Sequence, residues 1–278
     1  MSKTPQRSLL NTEALPLLWC AGCGNGIVLN AMLCAFDELG LGARDILIVS
    51  GIGCWGKADD YIKSNALHVT HGRALSFATG AKAVRPALHV VVLMGDGDGA
   101  TIGGNHLIHA ARRNMDLTAI IVNNFNYGMT GGQYSATTPA GAVTSTSIAG
   151  NPERSFDLAR LLVAAGANYV ARETVVHGTL LKNRIKKALG KKGFSAVEAI
   201  SPCTTLFGPR NNLRQPLSML GHLKKKGLPL SKFKELENAE EQGFFATGEF
   251  ADDSAGDFST RYEEARQRIM ARKGGGNG

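Results

Sequence analysis

The chain is expected to fold as an α/β protein around a doubly wound, mostly parallel sheet. Three features predict this. Short β-branched apolar runs, of the kind buried on both faces, alternate with segments carrying apolar residues at helical spacing. Strands separated by helices in this order build a parallel sheet covered on both sides. Each segment of unusual composition also begins where an apolar run stops, and the carboxyl ends of strands are where such sheets hold ligands.

The elements follow in chain order. Gly26 to Leu39 is a helix, with Ile27, Leu29, Met32, Leu33 and Phe36 supplying its apolar positions. Ile46-Leu-Ile-Val49 is the first strand and runs into Gly51-Ile-Gly-Cys-Trp55. A helix over Gly72 to Val84 leads to the strand Val90-Val-Val-Leu-Met94, which opens into Gly95-Asp-Gly-Asp-Gly99. The helix Ile102 to Arg113 precedes the strand Ala119-Ile-Ile-Val122, which stops at Asn123-Asn124. Helices over Phe156 to Ala165 and Val175 to Leu189 alternate with strands at Tyr169-Val170 and Ala196 to Ile200. The last strand ends at Ser201-Pro-Cys203, so every unusual segment lands on one rim. From Phe244 the chain turns polar and charged, with one helix around Ser259 to Arg272 before a glycine-rich tail. Two parts are therefore expected: residues 1–210 carrying the sheet, and 211–278 as a helical extension with a flexible end.

At 278 residues with 44% hydrophobic content, the chain can bury a substantial core. Five cysteines are too few and too uneven for a secreted disulfide scaffold, so reduced thiols in a cytoplasm are expected. The run Ala14 to Cys20 superficially looks like a lipoprotein leader. Glu13, Pro16 and bulky Trp19 before the cysteine rule it out, and no other run is apolar enough to cross a membrane. Much of the net charge of +8 sits in Lys182 to Lys192 and Lys224-Lys-Lys226. These lysines lack interleaved aromatics and read as solvated helix faces, which argues against nucleic acid.

Gly95-Asp-Gly-Asp-Gly99 follows a strand and opens a helix. Its glycines let the backbone approach a phosphate, and the helix N-terminus supplies amide donors. Aspartates among those amides would repel a diphosphate unless a divalent cation lay between. Mg²⁺ suits that role, with Asp96, the Asn124 amide oxygen and the Asn126 backbone carbonyl as oxygen ligands. A nicotinamide site is the competing reading, since Gly95-x-Gly97-x-x-Ala100 satisfies the loose dinucleotide fingerprint. That site wants an acidic residue at the end of the next strand, where this chain has Asn123-Asn124. Four cysteines fall beside these segments: Cys20 and Cys23 in Cys-Ala-Gly-Cys, then Cys54 and Cys203. Spacing alone leaves them open as zinc ligands, iron–sulfur ligands or buried small hydrophobes. Cys34, on an apolar helical face, reads as core.

Gly-Asp-Gly followed after 25 intervening residues by Asn-Asn resembles the thiamine diphosphate signature. The wider run Gly95-Asp-Gly-Asp, Gly104-Asn-His106, Ala111-Arg-Arg-Asn114, Asn123-Asn124 and Tyr127-Gly-Met-Thr-Gly-Gly-Gln133 resembles the β subunit of 2-oxoacid:ferredoxin oxidoreductases. So do Trp19-Cys-Ala-Gly-Cys-Gly24, Ser50-Gly-Ile-Gly-Cys54 and Thr70-His-Gly-Arg73, and the likeness is strongest to the 2-oxoglutarate type. It covers about residues 16–210.

The resemblance implies that residues 1–210 bind thiamine diphosphate, Mg²⁺ and a [4Fe–4S] cluster. Its ligand pattern falls on Cys20, Cys23, Cys54 and Cys203 for the cluster, and on Asp96, Asn124 and the Asn126 carbonyl for Mg²⁺. Thiamine contacts would come from Ile52, Gly53, Cys54, Trp55, His71, Gly97, Asp98, Gly128, Met129 and Thr130, with His71 also the catalytic candidate. Standing alone, His71 would read as a satisfied core histidine; the Thr-His-Gly-Arg setting reverses that. The implied reaction is oxidative decarboxylation of a 2-oxoacid, with coenzyme A taking the acyl group and electrons leaving through the cluster to ferredoxin. A partner α subunit would supply the glutamate that activates the cofactor. Some relatives place a lysine for the substrate carboxylate in Thr-Lys-Gly-Gln, where this chain has Thr130-Gly131-Gly132-Gln133. That keeps branched-chain 2-oxoacids and pyruvate open beside 2-oxoglutarate. A zinc-stabilised binding protein and an NAD oxidoreductase remain as more distant readings.

Overall fold

A computed structural model describes residues 8–274. Helix α1 (Asn25–Glu38) leads into β1 (Ile46–Ser50) and β2 (Asn65–His68), and α2 (Ala74–Val84) into β3 (His89–Gly95). A π-helical turn over Gly97–Ile102 precedes α3 (Gly104–Arg113) and β4 (Thr118–Asn123). Then come α4 (Leu158–Ala164), β5 (Tyr169–Thr174), α5 (Gly178–Gly190) and β6 (Ser195–Ile200). The C-terminal part holds α6 (Phe207–Arg210), α7 (Pro216–Lys226), β7 (Gly227–Pro229), α8 (Leu230–Glu235), β8 (Phe245–Asp252) and α9 (Phe258–Gly274). One sheet takes the order β2-β1-β3-β4-β6-β5-β8-β7. It is parallel except where β8 runs antiparallel to β5.

Alternation along the strands divides the core in two. Ile46, Ile48, Val91, Leu93, Ile120, Val122 and Val197 face α1 and α5. Their neighbours Leu47, Val49, Val90, Val92, Ala119, Ile121 and Ala196 face α2, α3 and α4. Every residue of β1, β4, β5 and β6 is buried, as expected for a sheet covered on both faces. Helix α1 stops where Gly40 adopts φ +67°. The Leu41 amide then bonds the Phe36 carbonyl at 3.0 Å, a C-terminal motif that a side chain at position 40 would strain.

The five strands read from the sequence are present, and β5 extends on to Thr174. The helix expected from Ile102 starts two residues later, because the Gly97–Ile102 turn comes first. The sequence pattern offered no strand after Ile200, yet the segment expected as a helical extension contributes β7 and β8 to the sheet. Helix α9 matches the helix expected around Ser259, and the predicted end of the tail, 275–278, lies outside the described residues.

Candidate active site

The carboxyl ends of β1, β3 and β4 open onto one cleft. Ile52, Gly53, Cys54, Trp55, His71, Gly97, Asp98, Gly128, Met129 and Thr130 all line it, together with Asp96, Asn124 and Asn126. Trp55 is 1% exposed and its indole donates to the Ile120 carbonyl at 3.1 Å, so its side chain anchors the β1 loop to the core. A larger cavity of ≈ 620 Å³ lies on the other side of Asn123, between β5, β6 and the C-terminal segment. Its buried charges Arg172 and Glu198 and the half-buried Asp157 are paired with one another, and Glu240 and Glu241 stand exposed at its edge. The smaller cleft has the buried unpaired polar atoms, Asp98 Oδ2 and Asn126 Oδ1, and it is the one the sequence motifs build.

Asp96 is 1% exposed at the end of β3. Its Oδ2 accepts from the Ser135 hydroxyl at 2.5 Å and the Thr137 hydroxyl at 2.8 Å, and Oδ1 from the Asn124 amide at 3.3 Å. Burial pushes the carboxyl up to about 6, and these donors limit the rise. Asn124 Oδ1 stands 3.3 Å from Asp96 Oδ1 and 2.7 Å from the Asn126 carbonyl. Asn124 Oδ1 therefore faces two further acceptor oxygens. Turning the Asn124 amide over would answer both with donors, and a cation among the three oxygens would do so as well. Octahedral Mg²⁺ with ligands near 2.1 Å puts neighbouring oxygens about 3 Å apart, which the observed spacings bracket. Asn126 Oδ1 is also buried without a partner.

His71 and Asp98 form the opposite wall. Asp98 Oδ1 contacts His71 Nδ1 and accepts from the amides of Gly72 at 2.7 Å and Ile52 at 3.3 Å. Asp98 Oδ2 is buried with no partner. Facing that carboxylate, Nδ1 is the nitrogen that donates to Asp98, and Nε2 is the ring's other hydrogen-bonding atom. Tyr127 stands edge-on to the ring at 5.9 Å and donates its hydroxyl to the Gly97 carbonyl at 3.0 Å.

The four cysteines singled out by sequence are neighbours. The Cys20–Cys23 turn closes through Cys23 N to Cys20 O at 3.1 Å. Gly24 N bonds the Ser201 hydroxyl at 3.1 Å and the Thr204 hydroxyl bonds Ala21 O at 3.1 Å, tying this loop to the end of β6. Trp19 Nε1 reaches Cys54 O at 2.6 Å, tying it to the β1 loop. Burial raises the Cys23 thiol, with further rises from Cys20 and Cys203. Burial and then Cys203, Cys20 and Cys23 push the Cys54 thiol up to about 11. Cys34, read as core, is only half-buried and sits on α1 beside Asn30. Among the described residues no three His, Cys, Asp or Glu side chains crowd closely enough to hold a single metal ion. A β-carbon built on Gly128 would lie 3.6 Å from Cys54 Sγ, Asn124 Nδ2 and Asn126 Oδ1 alike. Cys54 thus borders the side chains of Asn124 and Asn126.

The sequence reading missed Ser135 and Thr137, which hold Asp96, and the buried charges Arg172 and Glu198. A hydroxyl-rich Ser135-Ala-Thr-Thr138, the charges Arg172-Glu173 in β5 and Glu198 in β6 were the available signals.

A helix-opening Gly-Asp-Gly, an Asn-Asn turn and a glycine-lined cleft between them define a thiamine diphosphate-binding α/β domain. Residues 51–199 match the family described as thiamine pyrophosphate enzyme, C-terminal TPP binding domain. The 2-oxoglutarate synthase subunit KorB of Methanothermobacter thermautotrophicus is 50% identical over 249 residues, covering 90% of this chain and 87% of its own. That of Methanocaldococcus jannaschii is 47% identical over 248 residues, covering 89% and 92%. A solved 2-oxoglutarate:ferredoxin oxidoreductase from Magnetococcus marinus, with 2-oxoglutarate, coenzyme A and succinyl-CoA bound, superposes with a TM-score of 0.84. It is 30% identical, and the match spans 97% of this chain and 92% of that one. The chain belongs to the 2-oxoacid:ferredoxin oxidoreductase β-subunit family.

Proposed function

We propose that the chain is the β subunit of a coenzyme A-acylating 2-oxoglutarate:ferredoxin oxidoreductase. On this reading it works with an α subunit, which supplies the activating glutamate, and passes electrons through a [4Fe–4S] cluster to ferredoxin. The observation that carries the reading is the approach of two donor sets at Gly128: Cys54 Sγ lies against it together with the side chains of Asn124 and Asn126, and the Asn124 amide in turn reaches Asp96 Oδ1 and the Asn126 carbonyl. The relatives named for 2-oxoglutarate support the substrate over branched-chain 2-oxoacids or pyruvate.

The residues fit the implied groups. Mg²⁺ takes hard oxygen ligands and is commonly shared between a few protein oxygens and substrate phosphates, and the converging oxygens meet that need. Four thiols drawn from three loops suit a cluster, which spans more room than one ion. When bound, thiamine diphosphate supplies the electron sink for decarboxylation and the cluster carries electrons away. The chain's own residues bind and orient. Asp98 fixes the His71 ring through Nδ1 and leaves Nε2 to hydrogen-bond the bound cofactor or substrate. Ser135 and Thr137 occupy Asp96 Oδ2 and leave Oδ1 directed at Asn124.

Anaerobic purification of the chain with its partner subunit, followed by iron, magnesium and thiamine analysis, tests the site. Asp96→Ala should lose Mg²⁺ and thiamine diphosphate but keep iron, and Cys203→Ser should do the opposite. Full cofactor content in both variants would refute the assignment. A panel of 2-oxoacids assayed with coenzyme A and a dye acceptor tests the substrate, with 2-oxoglutarate expected to be turned over fastest.

A further inference from the structure

We propose that Glu198 and Arg172 are positioning residues for the metal end of the cleft, acting through Asn123. The proposal rests on reading Asp96, Asn124 and Asn126 as the metal ligands. In the sheet, Ile121 of β4 is level with Glu198 of β6, and Glu198 with Arg172 of β5. Asn123, two residues beyond Ile121, shares their face. Arg172 is 5% exposed and Glu198 3%, a charged pair set into two apolar strands. Desolvation opposes such a pair, so it is poor support for stability and better explained by an arrangement it specifies.

The hydrogen bonds show which arrangement. Arg172 Nε donates to Glu198 Oε2 at 2.6 Å, and Nη2 to Asp157 Oδ1 at 2.6 Å. The remaining Glu198 oxygen, Oε1, accepts from Asn123 Nδ2 at 2.8 Å. An ionised carboxylate only accepts, so it fixes Asn123 with its amide nitrogen toward Glu198 and its oxygen toward the turn that follows β4. There Asn123 Oδ1 accepts from the Phe125 amide at 3.0 Å and lies 3.1 Å from the Thr137 hydroxyl.

Both contacts shape the ligand set. Phe125 has φ 65°, a left-handed backbone that costs a bulky residue energy and needs support. The bond from its amide to Asn123 Oδ1 forms an Asx turn, and Thr138 Oγ1 secures its carbonyl at 2.6 Å. That bend sets the Asn124 side chain between Asp96 Oδ1 and the Asn126 carbonyl. Thr137, on the other contact, donates to Asp96 Oδ2 at 2.8 Å. Were Asn123 free to turn over, its Nδ2 would meet the Phe125 N–H, donor against donor, and the bend would lose its support. Glu198→Gln grants that freedom. It is nearly isosteric but carries an NH₂ toward either Arg172 or Asn123.

The test uses the complete complex stripped of metal and cofactor, titrated with Mn²⁺ in the presence of thiamine diphosphate and read by electron paramagnetic resonance. Removing a group that orients a ligand costs about ten- to a hundredfold in metal affinity. Glu198→Gln should weaken Mn²⁺ by that factor while iron content stays at the wild-type value. Arg172→Lys, which keeps the charge beside Glu198 but loses the fork, should give a smaller loss. It also carries the test if Glu198→Gln fails to fold. A role in stability alone would lower the unfolding midpoint and leave Mn²⁺ affinity untouched. Wild-type affinity in the folded variants, with Asp96→Asn impaired, overturns the positioning role alone. Wild-type affinity in Asp96→Asn overturns the ligand reading and this proposal with it.

Discussion

Gly51 has no room for a side chain. A β-carbon there would fall 1.8 Å from Asp98 Oδ2, and Asp98 is the carboxylate that fixes the ring of His71. Gly51→Ala should therefore move Asp98 off His71 rather than merely crowd the loop. Overpacking of this kind costs about 1–3 kcal/mol; borne by the bound state, that cost lowers thiamine diphosphate affinity about five- to 150-fold. Fluorescence titration of the stripped complex measures it, and unchanged affinity would mean that Asp98 and His71 are dispensable for binding. At this scale the sequence was legible wherever a residue type carried its own chemistry: Asp96, Asn124 and the grouped cysteines sit where the motifs placed them. Ser135 and Thr137 were not, because a hydroxyl gains meaning only from the carboxylate it meets. Glu198 and Arg172 were hidden for the same reason, since their pairing exists only once β5 and β6 lie side by side.

Elements buried on both faces could be read because only continuous apolar runs fill them. Strand β2 escaped, being four exposed residues at a sheet edge. Strand β8 escaped because its stability comes from charges as much as from apolar burial. Glu249 bonds Arg184 at 2.6 Å and Lys187 at 2.8 Å, and Asp252 bonds Lys187 and Lys191, each at 2.7 Å. Helix α5 thus clasps the strand that extends the sheet past β5. The hydrogen bonds from Lys187 and Lys191 hold Asp252 down to about 2. Glu249 is also lowered: burial alone would raise it, but its bonds to Lys187 and Tyr169 and the Arg184 charge prevail. Carboxylates depressed in the folded state stabilise it above their unfolded pKa and cease to do so as pH falls through the folded one. The hold on β8 should therefore be intact at neutral pH and fade from about pH 4 toward pH 2. Because Asp252 and Lys187 are exposed and Glu249 and Arg184 only half-buried, high salt should weaken the hold even at neutral pH. Hydrogen exchange, corrected for intrinsic rate, should show protection in β8 falling before that in β4. Simultaneous loss in both strands would contradict it.

For the whole molecule, the consequence of strand order is that distant segments share one rim. β1, β3, β4 and β6 end side by side, so the loop with Cys54, the Asp96 turn, the Asn124 turn and Cys203 meet without any long connection. This convergence followed from the alternation of elements alone, before any side chain was placed. What it builds is one wall of an active site. The described residues lining the cleft carry two aspartates, Asp96 and Asp98, and no glutamate to protonate the aminopyrimidine of thiamine. Beside the cysteine loop, Leu15, Leu17 and Leu18 stand 44%, 39% and 52% exposed, apolar surface of the kind a subunit contact covers. Binding and turnover should therefore separate. The chain purified alone under anoxic conditions should retain iron and bind Mg²⁺ with thiamine diphosphate, yet reduce no dye with 2-oxoglutarate and coenzyme A. Adding the partner subunit should restore turnover in proportion to complex formed. Replacing the partner's activating glutamate with glutamine should abolish that gain without displacing the cofactor from this chain. Turnover by the chain alone would place the missing acid here and refute the division of labour.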